Sequence, residues 1–335
     1  MAIIAINLKI IFMKTTKNYI GITLSVLIFT SVSLLSFLIQ SCKSDIKETL
    51  PKTVDIEKEN VIEIITENMD FIAPDTIPNG WTTWRYINKS AQPHFILIDD
   101  YNDSITVKEF KEELLPPFGE GITKLYEGKN DEAMAAFGKI PEWYSDTKWP
   151  GGVGLISPGK TAETILKLEP GFYIIECYVK MSNGMFHTNM GMYKGLIVSD
   201  EKSSMEEPTA DIAIDISSKK GIVFNPPTKP GAYTFSVNFL DQKKYENFEG
   251  HDINLVKMDE KTDLTTIEAW MNWLNLKGLI DPVPEGFTFL GGVNDMPAGS
   301  KGYFRANLEP GNYALISEVP KTLSKNLLKT FVISE

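Results

Sequence analysis

The sequence predicts an all-β protein made of two tandem Greek-key β-sandwich domains, each with a small helical insert. Short segments such as WTTWRYI (81–87) and TILKL (164–168) alternate apolar and polar residues, which is the period of half-buried strands. Gly and Pro residues separate these segments, as expected for turns. Two long stretches of the chain also resemble each other, which indicates an internal repeat.

The first 41 residues resemble a bacterial export signal. They contain three lysines and no acidic residue, and an apolar run from Ile20 to Ile39 follows the lysines. This order is typical of a signal peptide. The run ends at Ser41-Cys42, which resembles a lipobox, where the cysteine becomes the lipidated first residue. We therefore predict a lipoprotein signal at 1–41 and lipidation of Cys42. A retained membrane helix is the alternative, and Met13 is a second candidate start.

A lipid anchor predicts that the folded part lies in the cell envelope of a bacterium, on the periplasmic or the outer-membrane face. Removal of the signal takes three positive charges from a net charge of −11 and leaves −14. Such an acidic surface disfavours nucleic acid as a partner and permits a basic protein. The predicted partner is therefore the membrane, through the lipid anchor, and the charge permits a basic partner protein without identifying one.

The mature sequence divides into two segments of similar length. Residues 42–62 are charged and have no clear period, which predicts a tether. The polar stretch 201–210 predicts a linker between a first domain at 63–200 and a second domain at 211–335.

The repeat is clearest in one pair of segments. GGVGLISPGKTAETILKLEPGFYIIEC (151–177) parallels GGVNDMPAGSKGYFRANLEPGNYALIS (291–317), and both contain Gly-Gly-Val, a turn, a strand-like stretch and Leu-Glu-Pro-Gly. Each half also has a stretch with helical spacing before its Gly-Gly-Val run. These stretches include KEFKEELL and DEAMAAFGKIPEWY in the first half and IEAWMNWLN, after the capping residue Asp263, in the second. A duplicated domain with a helical insert explains this pattern.

Cysteine usage points to one residue. The chain has two cysteines, Cys42 and Cys177, and lipidation would consume the first. In an oxidising compartment the second then has no partner for a disulfide. A free thiol there is oxidised unless it is buried or bound to a metal. Cys177 is therefore the first candidate for a functional site.

Four residues of the first domain form a candidate set of metal ligands. His94 precedes the strand-like FILI, Cys177 ends FYIIEC, and His187 and Met192 follow in one loop. Two imidazoles, one thiolate and a weak, distant thioether are the ligands of blue-copper sites. The order of these residues and the four-residue spacing between the second His and the Met resemble the cupredoxin family, whose plastocyanin-like members carry the last three ligands on one loop.

This resemblance implies two cupredoxin-like domains, one copper ion in the first domain, and single-electron transfer. It implies that Cys177 is the strongest ligand, Met192 the weak axial ligand, and His187 the exposed edge through which electrons pass. The loop from Cys177 to His187 is longer than in plastocyanin-like members, which leaves two alternatives. The turn residues at 182–184 are consistent with a hairpin that folds back, and a looser loop would abolish a true blue-copper site.

Two other functions are consistent with the same residues. The ligand loop also contains Met181, Met185 and Met190 as substitute ligands, so the handling or storage of Cu(I) is a second hypothesis. A third is a metal-free two-domain binding or adhesion module, because a lone buried Cys and a group of Met residues are often core filler. This third hypothesis predicts that Cys177 is buried and far from His94.

The second domain is predicted to be metal-free. Ser317 takes the place of Cys177, and His251 takes the place of His94 without a second His or a Met beyond Ser317. The chain has three histidines in all, too few for a multicopper centre or for His-based hydrolysis. On this ground we predict that the chain is not an enzyme and that it has no catalytic residues.

Overall fold

A computed structural model describes residues 60–101 and 104–335. The predicted signal, Cys42 and most of the predicted tether lie outside the described residues, and the first strand begins at the end of that tether. The described residues belong to one compact unit. Within the described ranges, no helix is long and apolar enough to cross a membrane.

The described residues form sixteen strands. They are β1 (Val61–Glu67), β2 (Asp70–Ile72), β3 (Thr76–Asn88), β4 (His94–Asp99), β5 (Gly152–Ile156), β6 (Thr161–Leu168), β7 (Gly171–Glu176), β8 (Tyr193–Lys202), β9 (Ile212–Ser217), β10 (Gly221–Phe224), β11 (Gly231–Phe239), β12 (Ile253–Met258), β13 (Phe287–Val293), β14 (Lys301–Leu308), β15 (Gly311–Ile316) and β16 (Leu328–Ile333).

Short helices decorate both halves, as predicted. They are α1 (Val107–Glu109), which continues through a π-helical turn (Phe110–Leu114) into α2 (Leu115–Tyr126), then α3 (Asn130–Phe137), 3₁₀ turns at Glu142–Asp146 and Thr188–Met190, and α4 (Leu264–Trp270). Asp263 caps α4 because its side chain accepts a hydrogen bond of 2.9 Å from the backbone N–H of Thr265. The predicted fold class, all-β with small helical inserts, is confirmed.

Several strand pairings recur in the two halves of the chain. β3 pairs in parallel with β1 and antiparallel with β6, and β11 makes the same pairs with β9 and β14. β4 lies between β5 and β7, as β12 lies between β13 and β15. We call β1–β8 the first strand set and β9–β16 the second strand set.

The two strand sets share their sheets. β6 pairs antiparallel with β14, and β5 with β13, so strands with the same place in each set pair with each other. The predicted linker is packed as well, because Met205 forms a bridge with Trp81 of β3. The domain boundaries given above stay predictions.

The helical insert of the first strand set covers one face of the sheet beside Cys177. Phe110 and Leu114 are buried against Ile174 of β7 in a small apolar cluster. A capping box between Thr106 and Glu109 fixes the start of the insert. The insert is therefore in place to shield the segment that follows β7.

Candidate metal centre

The side chains of His94, Cys177 and His187 converge in the interior. Sγ of Cys177 lies 3.7 Å from Nδ1 of His94 and 3.7 Å from Nδ1 of His187. The two Nδ1 atoms are 3.2 Å apart, and all three residues are fully buried. In the described part of the chain, no other group of His, Cys, Asp or Glu brings three donor atoms within 4.8 Å of one another.

Strand pairing brings the first two residues together. β4 begins at His94, and Cys177 directly follows the end of β7. β4 and β7 are antiparallel neighbours, with Leu97 paired to Glu176. Because antiparallel strands run in opposite directions, the start of β4 lies beside the end of β7.

A hairpin returns His187 to the level of Cys177. Within the segment 177–192, here called the ligand loop, the backbone N–H of Met181 donates to the carbonyl of Met185 at 2.8 Å. The N–H of His187 donates to the carbonyl of Val179 at 2.8 Å. Gly184 takes the turn position with φ of 87°, which favours glycine. Of the two alternatives for this loop, the structure shows the hairpin, and it compensates for the length of the loop.

Met192 closes the ligand loop. Its N–H donates to the carbonyl of His187 at 3.0 Å, its carbonyl accepts from the N–H of Cys177 at 3.3 Å, and its side chain is fully buried. The backbone thus holds Met192 next to both residues, and its role as a ligand stays a prediction.

The three other methionines of the ligand loop differ in their surroundings. Met190 is 55% exposed, so its thioether faces solvent and not the buried cluster. Sδ of Met181 accepts a weak hydrogen bond of 3.7 Å from Nε2 of Gln92. Met185 is partly buried and lies beside Gly119 of α2.

The hairpin before β4 orients His94 and favours one tautomer of its ring. Oγ of Ser90 has one hydrogen, and two pure acceptors compete for it: Oδ1 of Asn88 at 2.8 Å and the carbonyl of Gln92 at 3.1 Å. When the hydroxyl hydrogen goes to one of these acceptors, Nε2 of His94, which lies 2.8 Å from Oγ, is the donor to Ser90. In a neutral imidazole this leaves Nδ1 without a proton and its lone pair free on the side of Cys177.

Asn88 and Ser90 were missed by sequence reasoning. The only signal for them in the sequence is the polar segment NKSAQP (88–93) directly before His94. Nδ2 of Asn88 donates to the carbonyls of Gln92 at 2.7 Å and Ile156 at 3.3 Å. These bonds hold the amide so that its oxygen faces Ser90, and the chain Asn88–Ser90–His94 orients the imidazole.

Burial keeps the three converging groups neutral in the metal-free protein. It lowers the pKa of His94 to about 3, with the neighbouring His187 adding to the effect, and lowers the pKa of His187 to about 4. Burial also raises the pKa of the Cys177 thiol to about 12. A cation among these atoms would favour the thiolate and leave the imidazoles as neutral donors.

The distances between the donor atoms fit one metal ion. With bonds of about 2.0 Å to nitrogen and about 2.3 Å to sulfur, as at zinc sites, donors in a trigonal plane lie about 3.5–3.7 Å apart. The observed separations of 3.2, 3.7 and 3.7 Å are close to these values. Two imidazole nitrogens and one cysteine sulfur are also the strong donors of a blue-copper site. The donor set therefore fits copper.

The prediction that His187 is an exposed edge is wrong. Its side chain is fully buried. The reason is that neighbouring elements cover the ligand loop on both sides of His187. Nδ2 of Asn189 donates to the carbonyl of Leu115 in α2 at 2.7 Å, and the ring of Phe186 packs edge-on against Trp273 at 5.4 Å.

Comparisons with known proteins find similarity at the level of structure. No protein-family model and no curated protein sequence matches the chain. A dithionite-reduced auracyanin from Roseiflexus castenholzii matches with 22% identity and a TM-score of 0.26, over 42% of this chain and 97% of its own. A multicopper oxidase matches with 14% identity and a TM-score of 0.19, over 82% of this chain and 88% of its own. A copper-containing nitrite reductase from Thermus scotoductus matches with 12% identity and a TM-score of 0.20, over 82% of this chain and 61% of its own. These similarities concern the fold alone.

The prediction that the chain is not an enzyme is wrong. It rested on the small number of histidines, whereas the structures similar in fold include a multicopper oxidase and a nitrite reductase, which are enzymes. The count of histidines limits the centres that one chain builds alone, and it does not exclude a reaction at a single site or at a contact with another chain. The matches assign no particular reaction to this protein.

Proposed function

We propose that this protein binds one copper ion through His94, Cys177 and His187, with Met192 as a weak fourth ligand, and that the ion transfers single electrons. The observation that carries the proposal is the convergence of Nδ1, Nδ1 and Sγ within 3.7 Å of one another at a fully buried position. When bound, copper would supply the one-electron couple, and the protein would supply its ligands.

The surroundings of the cluster support electron transfer. Thiolate sulfur favours Cu(I), whereas imidazole suits both oxidation states, so the mixed set keeps the two states close in energy. His94 is held by Ser90, and the hairpin of the ligand loop holds His187 through its backbone. A ligand set that is fixed by the protein changes little when the oxidation state of the metal changes, which favours fast exchange of electrons.

The setting of the protein belongs to the same proposal. The basic and apolar sequence before Ser41-Cys42 supports a lipoprotein anchored in a bacterial cell envelope, and the mature charge of −14 supports a basic redox partner. The matching strand pairings support a duplication in which one copy retains the ligands.

The distance between Cys177 and His94 does not support the metal-free binding module. A metal-free binding module predicts that Cys177 is far from His94, whereas Sγ and Nδ1 are 3.7 Å apart. Handling of Cu(I) uses the same cluster and is separated from electron transfer by experiment.

The test is to load the full chain with Cu(II) and to record visible and electron-spin-resonance spectra, with Cys177→Ser as the control. We expect an intense thiolate-to-copper band that is absent from Cys177→Ser. Stoichiometric Cu(I) binding without this band would instead identify a copper-handling protein. Binding of neither ion would contradict the proposal.

A further inference from the structure

The two histidines of the cluster are positioned by different means. Nε2 of His94 is hydrogen-bonded to Ser90, which fixes the direction of the ring. Nε2 of His187 is buried and has no hydrogen-bond partner among the described residues. Metal-binding histidines are usually oriented by a partner on the second ring nitrogen. The position of the His187 ring must therefore depend on the loop that carries it.

The ligand loop is tied to the second strand set. The contact is with residues 273–281, which follow α4 and are here called the clamp turn. The N–H of Lys180 donates to the carbonyl of Leu279 at 2.7 Å, and the N–H of Asp281 donates to the carbonyl of Lys180 at 3.0 Å. Both backbone groups of Lys180 are thus bonded to the clamp turn.

The side chain of Lys180 makes a second connection to the clamp turn. It is fully buried, and its Nζ donates to the carbonyl of Trp273 at 2.9 Å and to that of Asn275 at 2.8 Å. Nζ also lies 5.6 Å from the centre of the Tyr126 ring, close enough for a cation–π contact. A buried ammonium group needs such partners because its transfer from water is costly. The side chain is therefore held in one place by the carbonyls.

The contacts of Lys180 lead directly to His187. Lys180 forms an antiparallel bridge with Phe186 across the hairpin of the ligand loop, and the ring of Phe186 packs against Trp273 of the clamp turn. His187 follows Phe186, and its N–H is bonded to the carbonyl of Val179, the residue before Lys180. Both sides of the hairpin are therefore attached to the clamp turn next to His187.

We propose that Lys180 is a positioning residue that fixes the ligand loop on the clamp turn and thereby holds the imidazole of His187 against Cys177. For copper the inference rests on the function proposed above, while the position of His187 can be tested without a metal. It gives the second strand set a role in a site to which it contributes no ligand.

The following variants distinguish loss of the contact between Lys180 and the clamp turn from a general loss of stability. Lys180→Leu removes the donors and stays apolar, whereas Lys180→Arg retains donors for the carbonyls. Val237→Ala creates a cavity in β11, away from the ligand loop, and serves as a control of reduced stability. Lys180→Gln, which keeps an amide donor, replaces Lys180→Leu if that variant does not fold.

The first measurement uses the metal-free full chain. The rate at which a thiol reagent labels Cys177 is followed by peptide mass spectrometry. Opening of the loop exposes the thiol, so we expect labelling about 10-fold or more faster in Lys180→Leu, and close to wild type in Lys180→Arg and Val237→Ala. Equal rates in Lys180→Leu and Val237→Ala would overturn the inference.

The second measurement uses Cu(II) and the same variants. We expect Lys180→Leu to bind copper about 10–100-fold more weakly and to lose intensity in the thiolate-to-copper band, with recovery in Lys180→Arg. A full band in Lys180→Leu would refute the role of Lys180 and leave the copper site intact. Absence of copper binding in the wild type would refute the proposed function, and the labelling rates would still decide the role of Lys180.

Discussion

The two strand sets place different chemistry at corresponding positions. The register of β4 on β7 matches that of β12 on β15, so His94 corresponds to His251 and Cys177 corresponds to Ser317. In the first set the three donors of the cluster face one another in a buried space. In the second set the same two positions are also buried. Burial and strand geometry are therefore nearly the same at the two pairs of positions.

In the second strand set, neighbouring groups satisfy the polar atoms. Nδ1 of His251 donates to the carbonyl of Asp241 at 3.3 Å, and Nε2 accepts from the hydroxyl of Tyr245 at 2.9 Å. Oγ of Ser317 donates to Oδ1 of Asp252 at 2.7 Å. Buried polar groups with partners need no ligand. A histidine at this position is thus a candidate ligand only when one ring nitrogen remains free.

The largest expected difference between the sets is the response to loss of each histidine. We expect His94→Ala to weaken Cu(II) binding by more than about 100-fold, because loss of an outer partner alone costs about 10–100-fold. His251→Ala should retain the thiolate-to-copper band and lose about 1–3 kcal/mol of unfolding free energy, because the Tyr245 hydroxyl loses its partner.

Copper titration and chemical denaturation of both variants provide the measurement. The proposed correspondence fails if His251→Ala weakens copper binding as strongly as His94→Ala.

A smaller effect on copper affinity is expected from removal of the hydroxyl that orients His94. Ser90→Ala removes the acceptor for the Nε2 hydrogen, so we expect copper affinity to fall by about 10-fold or more and the electron-spin-resonance spectrum to broaden. Ser90→Thr keeps a hydroxyl at this position and is the matched control. Copper affinity is measured by competition with a chelator of known strength, and equal affinities of the two variants would contradict the role of Ser90.

Local features of the sequence predicted the fold class, whereas the members of the cluster were predicted from their order along the chain, which resembles that of cupredoxin ligands. Alternating strands and repeated turns depend on neighbouring residues, and the hairpin of the ligand loop follows from its turn residues. The burial of His187 and the contacts of Lys180 could not be predicted in this way. They result from α2 and the clamp turn, which are distant in sequence and meet the ligand loop only after folding. The pairing of β6 with β14 could not be predicted for the same reason, because the two strands are distant in sequence.

Substitution of Ser317 by cysteine tests whether a thiol alone is enough. We expect Ser317→Cys to bind no additional copper, because both ring nitrogens of His251 are already hydrogen-bonded and the sequence after Ser317 contains no His or Met. Loss of the hydroxyl donor to Asp252 should lower the unfolding free energy by about 1–2 kcal/mol. Copper stoichiometry is measured in the Cys177→Ser background, and a new thiolate-to-copper band there would contradict the comparison.

The last expected difference between the two strand sets is the pH dependence of stability without metal. The pKa of His187 is lowered to about 4 in the folded protein, against about 6.5 in the unfolded chain. The unfolded state therefore binds more protons between these values, so stability is lost as the pH falls from about 6.5 to about 4.

Buried carboxyls with raised pKa, such as Glu249 at about 8, act in the opposite direction, because their contribution is lost as the pH rises. The His187 effect is therefore measured as a difference in unfolding free energy between wild type and His187→Gln. As the pH falls from about 6.5 to about 4, we expect the wild type to lose about 1.4 kcal/mol of unfolding free energy per pH unit relative to His187→Gln. The corresponding slope for His251→Gln should be shallower, because the pKa of His251 is lowered by burial but raised by its bonds and charge interaction with Asp241. Parallel slopes for the two variants would mean that the free ring nitrogen of His187 does not distinguish the two strand sets.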